Sequence, residues 1–164
     1  MKMNAALPTV LAIAVMAMAS RVPSKKPPAA DEKDVRDALS RFHVALNALF
    51  QGDATPMAKV WSHAGDVSAM GPDGAMNWGW DAVEEYWKSQ AAMKLGGKVE
   101  PADLRVTMGA DMATTSNFEK GENTNAKGET QQVSIRATNV FRKEKGQWKM
   151  VGHHTDLLPY LKKD

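Results

Sequence analysis

From residue 31 onward, apolar positions fall first at helical and then at strand spacing. Val35, Leu39, Phe42, Leu46 and Leu49 recur every three or four residues and form one stripe, the signature of an amphipathic helix. Asp31, Glu32 and Asp34 sit in its first turn, where acidic side chains suit the helix dipole, and Gly52-Asp53 ends it. Thr55-Pro56 predicts an N-cap followed by proline at the first helical position, opening a short helix with Met57, Val60 and Trp61 inward. Short strands over 66–70 and 75–78 flank a Gly71-Pro72-Asp73-Gly74 turn. Asp81 and Glu84 make a capping-box pair for a third helix over 81–95, with Val83, Trp87 and Ala91 on one side and Gly96-Gly97 closing it.

Beyond that point the period changes to two. Leu104, Val106 and Met108 share a strand face, a second strand covers 112–122, and 123–128 is a polar hairpin loop. A third strand carries Val133, Ile135, Ala137 and Phe141 in one register, with Asn139 among them. A tight turn over 143–146 leads to a last strand over 147–157. The expected class is α+β: three N-terminal helices packed on a strongly curved antiparallel sheet, one domain over 31–164.

Composition changes the picture mainly at the N-terminus. Residues 5–19 are apolar apart from Pro8 and Thr9, follow Lys2, and end in Ala17-Met18-Ala19. Such a run is short for a bilayer, which takes about 20 residues, and suits a signal peptide over 1–19 cleaved before Ser20; a buried helix is the alternative. A Pro/Lys linker over 20–30 follows, so a periplasmic or secreted location is expected. The formal charge of the 164-residue chain is +2; residues 1–30 supply +4 and no acid, which leaves −2 on the rest. A slightly acidic domain is a poor partner for nucleic acid, and no membrane contact is expected after cleavage. The chain has no Cys, which excludes disulfides, thiolate metal sites and a cysteine nucleophile.

Three stretches in this order carry a family resemblance. They are Arg41-Phe42-His43-Val44-Ala45-Leu46-Asn47 with Gly52-Asp53; Val60-Trp61-Ser62-His63 running through Gly71-Pro72-Asp73-Gly74 to Val83; and Ala137-Thr138-Asn139-Val140-Phe141-Arg142 followed by 146–154. Over about residues 35–160 the chain resembles the SnoaL-like branch of the nuclear transport factor 2-like superfamily. The resemblance implies a cone-shaped α+β barrel in which a bent sheet wraps a long helix and leaves an open, mostly apolar pocket. It also implies pairing through the outer sheet face, and a family range from isomerases, cyclases, hydrolases and dehydratases to assembly domains. Set against the ketosteroid isomerase pattern of that superfamily, Phe42 stands at the Tyr acid and Gly71 near the Asp base. Asn139, or Thr138, stands at the second acid. That isomerase activity is therefore not implied.

The remaining candidates follow from alternation and from the family register. Asn139 faces the concave side, while Ser134, Arg136 and Thr138 face out. His153, with Val151 and Thr155, points inward and His154 outward, although Trp148 and Met150 give the other parity its own apolar claim. An inward His153 is a candidate general base, with Asn139 as oxyanion donor; the alternative is a core histidine bonded to backbone or to Asp66. Asp66 is the third candidate catalytic residue, as an orienting carboxylate or a turn residue. His63 is expected with it near the pocket mouth. His63, Asp66 and His153 show no metal-ligand spacing, so neither metal nor cofactor is expected.

Five Trp is high for this length. Trp61, Trp78, Trp80 and Trp87 bracket the hairpin and third helix, either as core and dimer packing or as an aromatic wall. In the second case Trp61, Trp78 and Trp87, with Phe42 and His63, line the ligand site, joined by Ile135, Phe141, Val151 and Thr155 from the sheet. Met57, Met70, Met76 and Met93 are alternatives as cavity lining or core. Asn117, Glu119 and Glu122 are expected at a solvated edge. Three functions remain: an exported dimeric module binding a small apolar or aromatic molecule, a pocket-histidine enzyme of the isomerase, dehydratase or cyclase type, or a dimeric assembly domain.

Overall fold

The computed structural model describes residues 29–125 and 127–161. The expected signal peptide and nearly all of the linker lie outside the described residues.

Helix α1 (Ala29–Phe50) is the axis of the domain. At about 1.5 Å per residue it is about 33 Å long. Its buried face is Val35, Ala38, Leu39, Phe42, Ala45, Leu46, Leu49 and Phe50; fully burying each larger side chain contributes about 1.5–3 kcal/mol. The solvent face carries the i,i+4 pairs Glu32–Arg36 and Lys33–Asp37. Near its C-terminus, Asn47 accepts from the Val99 N–H at 2.9 Å and donates to the Val99 carbonyl at 3.0 Å. One side chain thus satisfies both backbone groups of an edge-strand residue and docks helix on sheet.

Helix α2 (Met57–Val60) buries Met57, Val60 and then Trp61. Its start corrects the expected cap: Pro56 occupies the N-cap position without a side-chain bond, and Thr55 bonds the Asp53 carboxylate instead. Helix α3 (Trp80–Ala92) likewise starts without a capping box. Its N-cap is Gly79 at φ +79, a left-handed backbone that favours glycine, and Asp81 lies inside the first turn. Val83, Tyr86, Trp87, Gln90 and Ala91 are buried.

The strands are β1 (Ser68–Met70), β2 (Met76–Trp78), β3 (Lys98–Met108), β4 (Met112–Thr124), β5 (Thr130–Glu144) and β6 (Gln147–Thr155). They form one curved, open sheet in the order β2-β1-β6-β5-β4-β3, with β2 and β3 as edges. One pairing departs from the antiparallel expectation: β1 runs parallel to β6, matching Ala69 to His153. Strands β3 and β4 approach each other closely at Gly121, which pairs with Val99. A Cβ on Gly121 would lie 1.9 Å from the Lys98 carbonyl oxygen, so the close approach of these backbones requires glycine.

A β-bulge in β6 settles the parity of the two histidines. Val140 pairs with Gly152 but Phe141 pairs with Met150, which leaves Val151 as the extra residue. Before the bulge Trp148 and Met150 are buried; after it His153 and Thr155 are buried and His154 is exposed. Both competing apolar patterns therefore face inward, on opposite sides of one inserted residue.

Candidate functional site

Strand alternation assembles a polar surface inside an otherwise apolar cone. Strand β4 turns Thr115, Asn117 and Glu119 inward, β5 turns Asn139, and β6 turns His153 and Thr155; helix α1 adds His43. All are buried, His153 to 3% exposure. Of these, Glu119, His153 and Thr155 line a cavity of about 40 Å³, together with Leu46, Leu49, Val133, Ile135 and Trp87. Its mouth is covered by Pro72 and by Leu158 and Leu161 of the C-terminal segment. The Leu158 N–H donates to the Pro72 carbonyl at 2.8 Å, pinning that cover. That is room for a few waters, against about 300–1,000 Å³ for a drug-sized site. The roomy pocket expected from the family is thus narrow here, with Leu158 and Leu161 of this segment among its lining. A larger depression of about 430 Å³ lies outside the cone, and its Asp34, Asp37, Arg41 and Lys59 lining is charged in both senses.

Hydrogen bonds order the polar surface. His153 Nδ1 and Asn139 Oδ1 are 2.7 Å apart, and Asn139 Nδ2 donates to Thr115 Oγ1 at 3.0 Å and to Asn117 Oδ1 at 3.3 Å. Burial pushes the His153 imidazole down to about 4, with Glu119 opposing and His43 and His154 assisting. His43 Nδ1 meets the Leu39 carbonyl at 3.0 Å, and its Nε2 faces Glu119 Oε1 at 3.5 Å. His43 Nε2, Glu119 Oε1 and Thr155 Oγ1 are buried without a hydrogen-bond partner among the described residues. Such atoms call for an explanation, a ligand or water among them. The Trp87 Nε1–H on the cavity wall is a further unpartnered donor.

Several expected site residues lie elsewhere. Asp66 is exposed and binds the Arg142 guanidinium through two bonds of 2.6 and 3.1 Å, which holds its carboxyl below the usual range. It reaches neither His153 nor the cavity, because Arg142 on β5 claims it at the surface. His63 is exposed and stacks on Trp80 at 4.2 Å, and Trp78 is exposed on edge strand β2. Trp61 and Phe141 are core residues outside the cavity lining, and Val151 is the bulge residue. Phe42 packs on the His153 ring at 4.8 Å; Trp87, Ile135 and Thr155 line the cavity. Of the methionines, Met57 is core, Met70 half-buried and Met76 and Met93 exposed, so none lines it.

Glu119 corrects a second expectation. It is buried at 4% rather than solvated, because β4 continues in register and turns it inward between Asn117 and Gly121; Asn117 is buried with it, whereas Glu122 is exposed. His43, Asp73, Gln90 and Thr115 are among the other buried polar residues that sequence reasoning missed. His43 adjoins Phe42 in the helical stripe, and a wider stripe would have included it. Asp73 reads as a turn residue, yet its carboxylate accepts from the Tyr86 hydroxyl at 3.3 Å, Gln90 Nε2 at 3.0 Å and the Ala75 N–H at 3.1 Å. Burial first, and Asp73 second, push the Tyr86 hydroxyl well above its ordinary value.

An open, curved six-stranded sheet closed over by helices, with polar groups on its inner wall, is the architecture of nuclear transport factor 2-like proteins. The chain belongs to the SnoaL-like domain family, which matches residues 35–158. Solved structures share the fold. A candidate dehydratase of the NTF2-like family from Streptomyces avermitilis is 22% identical over 81% of this chain and 99% of that one, at a TM-score of 0.70. A candidate aromatic ring hydroxylase from Novosphingobium aromaticivorans is 16% identical over 81% and 92%, at 0.67. A candidate calcium/calmodulin-dependent protein kinase type II association domain from Thiobacillus denitrificans is 28% identical over 75% and 94%, at 0.59. No curated protein matches the chain.

Proposed function

We propose that the protein is an exported SnoaL-like binding module whose cone interior takes a small molecule with an apolar body, admitted when the C-terminal segment moves aside. One observation carries this reading: Glu119 Oε1 and Thr155 Oγ1 are buried without partners in the same chamber wall as His153. An unsatisfied buried polar atom costs about 1–3 kcal/mol, more when charged, and an occupant that bonds it recovers that cost. Export rests on the apolar run over 5–19 and its Ala17-Met18-Ala19 end. The test is native mass spectrometry of the protein purified from its own host, beside Glu119→Gln. A small-molecule adduct lost on substitution supports the reading. Bare protein, together with no thermal shift from a library of small apolar alcohols and phenols, overturns it.

A second reading, proton-transfer catalysis of the isomerase or dehydratase type, is favoured by the His43–Glu119 contact. His43 Nδ1 must donate to the Leu39 carbonyl, which only accepts, so Nε2 can bond Glu119 only with a proton between them. A carboxylate beside a shared proton and close to His153 is the kind of group that moves protons at a bound substrate. Recovery of the adduct unchanged after prolonged incubation favours binding; its conversion favours the enzyme.

A further inference from the structure

We infer that the hydrogen bonds behind His153 hold its ring as the Nδ1–H tautomer, so that Nε2 is a bare acceptor and the cone's occupant must present a hydroxyl or N–H donor to it. The inference rests on the small-molecule reading above and names the chemical class of that molecule.

The direction of each bond is forced by the one before it. A backbone carbonyl oxygen only accepts, so the Asn117 atom 3.1 Å from the Phe118 carbonyl is its NH₂ group. The other end of Asn117 is therefore its carbonyl oxygen, and the Asn139 atom 3.3 Å from it must be NH₂. That same NH₂ reaches Thr115 Oγ1 at 3.0 Å. Asn139 Oδ1 is then left to accept, and the only donor against it among the described residues is His153 Nδ1 at 2.7 Å. A neutral imidazole has one N–H; with it spent on Asn139, Nε2 carries a lone pair. Asn117 and Asn139 are thus positioning residues that act through His153.

Two more unpartnered atoms of the chamber can accept, and one, the Trp87 Nε1–H, only donates. Glu119 Oε1 is a second buried oxygen without a partner, and Thr155 Oγ1 can accept as readily as donate. Leu46, Leu49, Val133 and Ile135 supply the apolar wall. At His153 Nε2 and Glu119 Oε1 a carboxylate, phosphate or ether would set lone pairs against lone pairs, whereas an alcohol, phenol or amide N–H meets an acceptor; the Trp87 N–H is left to bond the oxygen of such a group.

Two measurements test this. Long-range ¹H–¹⁵N spectra of the labelled protein at pH 7 should show His153 protonated at Nδ1 and bare at Nε2; the opposite tautomer overturns the inference. Asn139→Leu should release the ring into a mixture of tautomers if it folds. The second arm needs no variant: phenol and anisole share a ring, but only phenol has a donor. Phenol should bind about ten-fold tighter, the worth of one buried hydrogen bond, and shift the His153 Nε2 resonance. Equal binding of the two overturns the donor requirement while the pocket reading stands. Failure of both to bind overturns the pocket reading and the ligand class together, and the tautomer spectrum reports independently of it.

Discussion

His43 Nε2 and Glu119 Oε1 face each other across 3.5 Å in the protein interior, linking the middle of α1 to the middle of β4. Each side chain is 5% exposed, and neither atom has a hydrogen-bond partner among the described residues. A buried charge in such a place contributes little to stability and can be replaced by a neutral donor of the same shape.

Glu119→Gln supplies that donor, since an amide NH₂ can bond His43 Nε2 with no added proton. Stability should stay within about 1 kcal/mol of the parent. Glu119→Ala, which removes the 3.5 Å approach to His43 Nε2 and opens a void, should lose about 2–4 kcal/mol. Urea unfolding of both variants checks this, and equal losses would show that the contact is packing alone.

The depressed His153 imidazole predicts a particular acid response. Unfolded, the ring takes a proton near its ordinary value of 6.5; folded, it withholds until about 4. Between those values unfolding takes up a proton, so acid favours the unfolded state. The loss should begin below about pH 6.5 and reach roughly 3 kcal/mol near pH 4. His153→Gln should flatten this segment of a stability–pH curve. Asp156 belongs to a separate window: Arg136 holds its carboxyl down to about 2, so its contribution is present above its unfolded value and fades only as pH falls from about 4 towards 2.

Gly71 is tied to Tyr86. A Cβ at position 71 would lie 1.6 Å from the Tyr86 hydroxyl oxygen, which is bonded to Asp73. Gly71→Ala should therefore cost about 1–3 kcal/mol by overpacking. Tyr86→Phe removes the nearest atom but leaves the ring carbon at 2.6 Å, so the penalty of Gly71→Ala should shrink in that background without vanishing. A double-mutant cycle by chemical unfolding measures the coupling.

Asp66 supplies a contrasting case. Its pair with Arg142 is two-thirds exposed on the Asp side, and such pairs contribute about 0–1 kcal/mol. Asp66→Asn should change stability by no more than that and leave the phenol–anisole difference untouched in the same titration.

What the chain's pattern reveals and conceals follows from period and range. The stripe from Val35 to Leu49 and the alternation from Val133 to Phe141 are local, repeated many times, and place α1 and β5 with Asn139 inward. The bulge at Val151 is a single inserted residue fixed by pairing between Val140 and Phe141 on a neighbouring strand, so the two parities of β6 compete in the sequence and are reconciled only in the sheet. Glu119 is hidden for another reason. Charge argues for solvent, and only the register of β4 against β5, which sets Glu119 opposite Ile135, overrides it. The family register points Asp66 and His63 to the pocket mouth, and Trp78 follows from its place at the hairpin. Their surface partners, Arg142 for Asp66 and Trp80 for His63, and the open edge at β2 for Trp78, decide otherwise.

In the proposed reading, access to the chamber turns on the Leu158 side chain. It is 8% exposed, contacts the cavity, and its backbone is held to Pro72 by one hydrogen bond. Tyr160, further along, reaches Asn123 Oδ1 only at 3.4 Å. A segment with so few anchors opens at far lower free energy than the sheet beneath it. Leu158→Ala keeps the backbone bond but removes the apolar plug. It should cost about 2 kcal/mol, the low end for a buried leucine, because the void can fill from solvent. Opening should at the same time become easier, so phenol should associate faster with the variant and an environment-sensitive apolar dye should gain fluorescence on binding. Slower or unchanged association would mean that the mouth lies elsewhere and that Leu158 is core, not cover.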